Sequence, residues 1–338
     1  MNIGNIELKH GIMLAPMAGY TDRAMRRVCR DLGAEYTVTE MVSAKAVVYG
    51  DKKTHSLARI LADEGPVAIQ IFGSEPEIMA EAARTLASPK EGVPPVSIDI
   101  NMGCPVRKIF SNGEGSALMR DPSLIERIVR AVARAVSIPV TVKLRAGVDS
   151  EHINAVECAL AAESAGAKMI CIHGRTTAQM YGGSADRKII KNVKDSLRIP
   201  LFANGDILSA RDALDMLSET GADGIAVGRG AVGNPFIFSE ITAALEGRDY
   251  PEPTLCERID TAILQLKLAV EEKGERQAIP EARKQIALYL RSFRGAAKLR
   301  TVINLATTFS EVEEALISLK QNPNEYNYTS ELKTARCT

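Results

Sequence analysis

Net charge, tryptophan and any long apolar run are all missing from this sequence. Lysine plus arginine and aspartate plus glutamate both number 42, so the formal charge is zero. A protein whose whole surface attracts nucleic acid or acidic lipid is excluded, and any basic surface must be local. No span approaches the roughly twenty apolar residues that a membrane helix needs. Residues 1–7 show no basic region followed by an apolar one, so neither secretion nor membrane insertion is expected, and the cytoplasm is. The six cysteines form no CxxC pair and no metal-ligand spacing, which suits a reducing compartment and gives no reason to expect a metal. What the chain does have is 46% hydrophobic residues over 338 positions, enough for one large domain and a smaller one.

It also has a repeated junction. Gly33-Ala34-Glu35 precedes YTVTEM, Gly166-Ala167-Lys168 precedes MICIHG, and Gly221-Ala222-Asp223 precedes GIAVGRG. In each, an amphipathic helical stretch stops at a glycine able to take the left-handed C-cap conformation, and a short apolar strand follows. A second junction uses proline, with Ser137-Ile138-Pro139 before VTVKLR and Arg198-Ile199-Pro200 before LFANGD. Eight strand candidates result, at 12–17, 36–39, 67–72, 96–101, 140–144, 169–173, 201–204 and 224–227. Helical stripes separate most of them, such as Leu124, Ile125, Ile128, Val129, Val132 and Val136 behind an Asp121 N-cap and Pro122. Ser209 is a second candidate cap. This alternation predicts an α/β fold, a closed (β/α)8 TIM barrel over residues 1–246, with a doubly wound sheet as the alternative. Residues 247–254 are a proline-rich linker. Residues 255–322 show helical periodicity and no strand candidate, predicting a smaller all-helical domain, and 323–338 read as a polar tail.

In such a barrel the reactive side chains come from the C-terminal strand ends and the loops beyond them. Those ends carry Pro16-Met17-Ala18, Glu40, Gln70, Asn101 with Cys104, Lys143 with Arg145, His173 with Arg175, Asn204-Gly205-Asp206 and Gly228-Arg229. The last two loops suit a phosphate, because glycines let backbone N–H groups approach an anion and Arg229 adds a fork-shaped donor. Lys143 must point into the mouth, either to form a Schiff base or to hold a negative group. Gln70 offers both a donor and an acceptor to a planar heterocycle. His173 is either a site residue or a satisfied core histidine. Cys104 lies in DINMGCP, where glycine and proline force the chain off its strand. It reads as an inert core residue, a nucleophile or a proton donor. No neighbouring base for acyl transfer is evident, and a thiol with a pKa near ~8.5 is mostly protonated at neutral pH.

Taken together, APMAGYTD, NMGCPVRK, VKLRAG, IHGRT, ANGDI and GRGAVGNPFIF resemble the tRNA-dihydrouridine synthase family, in particular its bacterial B-type members. The resemblance spans residues 10–240 and continues weakly beyond. It implies an FMN enzyme that reduces the C5–C6 double bond of uridines in tRNA, with NADPH or NADH recharging the flavin. By the same resemblance Pro16, Met17 and Ala18 would lie along the ring, and Gln70, Lys143 and His173 would contact it. Asn204, Gly205, Asp206, Gly228 and Arg229 would hold the ribityl phosphate. Cys104 matches the catalytic cysteine that protonates C5 once hydride has reached C6, and Asn101 and Arg145 would orient the uracil.

The stretch ARKQIALYLRSFRGAAKLR (282–300) holds Arg283, Lys284, Arg291, Arg294, Lys298 and Arg300 without one acid, interleaved with Tyr289 and Phe293. It reads as a local RNA-binding surface. Gln285 and Leu288 stand where the family commonly has histidine and tryptophan, Arg187 where an aromatic residue is usual, and Glu114 where a small residue is commoner. These departures bear on tRNA docking rather than on the flavin. The chain is expected to act as a monomer. The competing functions are a flavin oxidoreductase of a free pyrimidine and a non-catalytic tRNA-binding protein.

Overall fold

The computed structural model describes residues 1–291 and 296–321, with side chains from Leu299 onward in the second stretch. Eight parallel strands form the barrel: β1 Ile12–Leu14, β2 Tyr36–Val38, β3 Val67–Phe72, β4 Ser97–Met102, β5 Val140–Arg145, β6 Met169–His173, β7 Leu201–Asn204 and β8 Gly224–Val227. Each pairs with the next, and β8 returns to β1 with Ile225 opposite Ile12 and Val227 opposite Leu14. This closes the ring and excludes the doubly wound alternative, whose open sheet keeps two edges. β1 stops at Leu14, short of the expected 12–17, as the chain approaches Pro16, which has no N–H for a ladder. A further two-residue strand, Val42–Ser43, lies beside the far end of β3.

The helices between the strands begin where their caps allow. Asp121 accepts the Leu124 N–H at 3.0 Å to start Pro122–Ala135. Ser209 caps Ala210–Thr220, which ends at Gly221 with φ of 67°, a left-handed conformation that favours glycine.

Alternation along each strand divides the apolar residues into two layers. In β4, Ile98, Ile100 and Met102 join the core beneath the helices, whereas Ser97, Asp99 and Asn101 face the barrel axis. The inner layer near the strands' N-terminal ends is apolar, with Met13, Tyr36, Met169 and Phe202 packed together. An unexpected hairpin of Asn2–Ile3 and Ile6–Glu7 plugs that end with Ile3, and Leu8 follows it inward. Two-residue strands carry no periodicity, so no pattern announced them.

Among the described residues four helices follow, Leu255–Lys273, Glu275–Tyr289, Ala296–Leu305 and Phe309–Gln321. Thr254 and Glu257 form a reciprocal capping box at the start of the first. Their shared core includes Ile259, Leu266, Ile286, Tyr289, Ile303 and Leu316. Several contacts seat them on the barrel, among them Phe236 within this core and Ala24 against Ala269 and Ala278. Lys273 pairs with Asp22 at 2.6 Å, and Lys284 Nζ lies 4.1 Å above the Tyr20 ring centroid. At Gly233 (φ +70°) an added Cβ would meet Leu288 Cβ at 2.5 Å, so only glycine allows this close an approach. The expected tail at 323–338 lies outside the described residues, as does position 322.

Candidate active site

The C-terminal strand ends open into a cavity of about 560 Å³, within the ~300–1,000 Å³ range of small-molecule sites. Every residue that the family resemblance assigns to the cofactor lines it, and so do Cys104, Asn101 and Arg145. A closed parallel barrel explains this convergence, because consecutive strands are neighbours and all end on one face.

One wall is built from a chain of buried hydrogen bonds. Asp99, 3% exposed, accepts from Thr141 Oγ1 at 2.5 Å and from Gln70 Nε2 at 2.7 Å. Gln70 Oε1 accepts from Asn101 Nδ2 at 2.8 Å. Asn101 Oδ1 accepts the backbone N–H groups of Gly103 and Cys104, at 3.2 and 2.9 Å. Burial pushes the Asp99 carboxyl up, against the donors Thr141 and Gln70. Asn101 thus gives its Oδ1 to the cysteine loop and one N–H to Gln70, while it still lines the cavity.

Arg145 is engaged in the same way. Its Nε donates to Gly103 O at 2.9 Å, and Nη1 donates to Thr176 O at 2.8 Å and Met180 O at 2.9 Å. It clamps two loops at the mouth, so the uracil contact expected of it leaves only Nη2 available. Cys104 is 9% exposed. Burial raises its pKa, against the Val106 N–H and the charges of Arg145 and Lys143, so the thiol keeps its proton at neutral pH. Lys143 Nζ donates to Asn204 Oδ1 at 3.0 Å, and burial draws its pKa down, with the Arg145 charge acting the same way. His173 is held neutral: burial and the four nearby cations Lys143, Arg145, Arg175 and Arg229 push it down to about 2.

At the opposite end Asp206 has a left-handed backbone, φ of 54°. Its carboxylate lies 2.8 Å from Arg175 Nη1 and 3.3 Å from Arg229 Nη2, and accepts the Ala185 N–H at 2.8 Å. Burial acts to raise this carboxyl, but Arg175 and the Ala185 N–H outweigh it and hold it below the ordinary range. A paired carboxylate does not itself seat a phosphate. Asp206 lines the cavity beside Gly205, Gly228 and Arg229, and its carboxylate pairs with Arg229.

The basic stretch is divided by the fold. Tyr289 is 2% exposed and its hydroxyl donates to Gln265 Oε1 at 2.6 Å, so it is a core residue and not a base-stacking platform. Arg283 Nη2 donates to Ala306 O at 2.8 Å, tying two helices. Lys284 is exposed, with its ammonium over the Tyr20 ring. Arg291 is exposed and lines the cavity rim together with Leu288, whereas Arg300 is exposed but apart from it. Phe293, Arg294 and the Lys298 side chain lie outside the described residues. Gln285 is buried and accepts from Gln265 Nε2 at 2.7 Å, and Arg187 pairs with Glu219.

Sequence inspection missed Asp99 and Tyr181. Asp99 had a signal, a charged residue on the inward register of a strand buried on both faces. Tyr181 had none. It sits on a loop held by Arg145 and Arg175, with the Arg229 guanidinium 5.1 Å and that of Arg145 5.9 Å from its ring centroid. Among the described residues, no group of three or more His, Cys, Asp or Glu side chains is placed to hold a metal ion. Among the same residues no helix is long and apolar enough to cross a membrane.

The family model described as dihydrouridine synthase (Dus) matches residues 13–324. The chain belongs to this family. Relatives in the dihydrouridine synthase family include a probable tRNA-dihydrouridine synthase of Rickettsia conorii, 39% identical over 98% of this chain and 99% of the relative. The tRNA-dihydrouridine synthase B of Vibrio cholerae is 40% identical, with 94% and 97% covered. That of Xanthomonas axonopodis pv. citri is 40% identical, with 91% and 92% covered. As a dihydrouridine synthase the chain is an enzyme, an oxidoreductase of a family that uses a flavin. Among solved structures, the 6-hydroxypseudooxynicotine amine oxidase of Pseudomonas geniculata superposes with a TM-score of 0.55 at 12% identity, covering 71% of this chain and 49% of that one. The histamine dehydrogenase of Rhizobium sp. 4-9 gives 0.52 at 12% identity, covering 84% and 51%. At such identities the likeness is one of fold alone, and this chain spans about half the length of each.

Proposed function

We propose that this chain reduces the C5–C6 double bond of specific uridines in tRNA to 5,6-dihydrouridine, with FMN in the barrel mouth and a reduced nicotinamide nucleotide as the electron source. The observation that carries the reading is the Cys104 thiol in the wall of a cavity that Gly205, Gly228 and Arg229 also line; burial raises that thiol's pKa, which suits a proton donor. The residues present fit FMN. Pro16, Met17 and Ala18 offer an apolar wall, Gln70 and Lys143 offer donors, and Gly205, Gly228 and Arg229 offer an anion seat without a side chain in the way. When bound and reduced by the nicotinamide nucleotide, FMN would supply the hydride that C6 of the uracil receives. Cys104 then gives its proton to C5, where electron density gathers as C6 is reduced. Lys143 would offer positive charge to the bound ring, and His173 stands in the same cavity uncharged.

Arg291 at the rim meets the phosphate backbone of the folded RNA while one base is turned into the mouth. A free pyrimidine gives that residue no task, which disfavours the small-molecule alternative. The same reading has the chain work in the cytoplasm as a monomer, with residues 1–246 and 255–322 as separate domains joined through 247–254. The expected outcome is a yellow purified protein that releases FMN on denaturation and raises dihydrouridine in tRNA from a deficient strain. A colourless protein without flavin affinity, or activity on free uracil but not on tRNA, overturns the reading.

A further inference from the structure

Asp99 does not line the cavity, yet the hydrogen-bond directions in the cavity wall start from it. A carboxylate that accepts a hydrogen bond from Thr141 at Oδ1 and one from Gln70 at Oδ2 presents only acceptors to them, whereas a carboxamide has one side that donates and one that accepts. With Asp99 Oδ2 accepting at 2.7 Å, the amide group of Gln70 must turn its NH2 inward. Its Oε1 then faces Asn101, which must offer NH2 in return and keep Oδ1 for the N–H groups of Gly103 and Cys104. The parallel register supports this arrangement, since Gln70, Asp99 and Thr141 stand side by side on β3, β4 and β5. One N–H of Gln70 remains after the bond to Asp99, and Gln70 lines the cavity.

We propose that Asp99 is a positioning residue that sets both carboxamides by its acceptor-only character, fixing the Cys104 loop at one end and making Gln70 a donor toward the ligand at the other. That this ligand is a flavin rests on the proposed function, whereas the link from Asp99 to Cys104 does not. Asp99→Asn keeps the shape and gives position 99 an amide that no longer dictates which way Gln70 turns. An Asp99→Asn/Gln70→Glu double variant moves the carboxylate one place along the chain of bonds. The new amide at 99 donates to the new carboxylate at 70, which still accepts from Asn101, so the cysteine loop is restored while the donor into the cavity is lost.

The test measures alkylation of Cys104 by iodoacetamide in the flavin-free full chain, read on the Cys104 peptide by mass spectrometry, beside FMN affinity by fluorescence. For Asp99→Asn the alkylation rate is expected to change and FMN binding to weaken, each by about tenfold, the worth of one buried hydrogen bond. In the double variant the alkylation rate is expected to return to that of the wild type while FMN binding stays weak. Unchanged alkylation in Asp99→Asn, or a double variant no closer to wild type than the single one, overturns the proposal. A wild-type chain that binds no FMN overturns the functional reading and leaves the alkylation arm intact. Should the variants not fold, hydrogen exchange of the Gln70 and Asn101 side-chain amides in the wild type decides. Exchange about tenfold slower than in a free carboxamide supports the arrangement, and exchange at the free rate overturns it.

Discussion

Replacing Tyr289 by phenylalanine separates the two roles open to a tyrosine amid arginines, core packing and RNA contact. The ring packs among Leu266, Ile286 and Leu316 in the helical core, and its hydroxyl donates to Gln265 Oε1, whose own amide donates to Gln285. Phenylalanine keeps the ring and its volume, so no cavity opens. It removes the donor and leaves a buried acceptor at 265 without it, which costs about 1–3 kcal/mol. Urea denaturation is expected to show that loss as a lower midpoint at an unchanged slope. Binding of tRNA to the folded variant is expected to equal that of the wild type, because a side chain 2% exposed reaches no RNA. Arg291→Ala is the matched control. It is exposed at the cavity rim, so stability should hold while tRNA binding weakens and its salt slope falls by about one. A Tyr289→Phe protein of full stability but several-fold weaker tRNA binding would refute the assignment of Tyr289 to the core.

Cys104→Ala is expected to retain bound flavin and lose about 10²–10⁴ in turnover with tRNA, the contribution of a positioned acid. Full turnover in that variant removes the proton-donor role. Arg26→Leu is expected to cost about 3–5 kcal/mol, because Glu64, 0% exposed, would lose the guanidinium whose Nε donates to it at 2.9 Å. A loss under about 1 kcal/mol in denaturant titration would show that this pair is solvated. Stability is also expected to fall with rising pH above 9. Burial pushes the Cys158 and Cys171 thiols from 9.0 up to about 12, so between those values the unfolded chain releases protons that the folded chain keeps. Each thiol then removes about 1.4 kcal/mol per pH unit, and their contribution is fully present only below pH 9. A flat stability profile from pH 9 to 11 would contradict the burial of both.

Much of the fold was legible because its signals are local. Gly221 stops a helix through its own backbone freedom, Asp121 and Ser209 start helices with their own oxygens, and short apolar runs mark the strands. The mouth was legible for a related reason. In a closed parallel barrel the order along the chain is the order around the ring, so a roster of strand ends is also a roster of neighbours. Gln70, Cys104, Lys143, His173, Asn204 and Arg229 therefore converge as the chain order implies.

Chain order does not say where a side chain spends its hydrogen bonds or which face of a helix another helix covers. Both depend on residues far apart in sequence. Asn101 shares its amide with Gln70, 31 positions away, a bond that no local pattern announces. Tyr289 and Arg283 looked like part of a basic surface until the helices around them closed over one and bound the other through Ala306. The amino-acid order alone determined that a cysteine stands at the mouth of a barrel. Only the tertiary structure decided that its loop hangs from Asn101, and through Gln70 from a buried aspartate, because a hydrogen bond has a direction that no one-dimensional pattern carries.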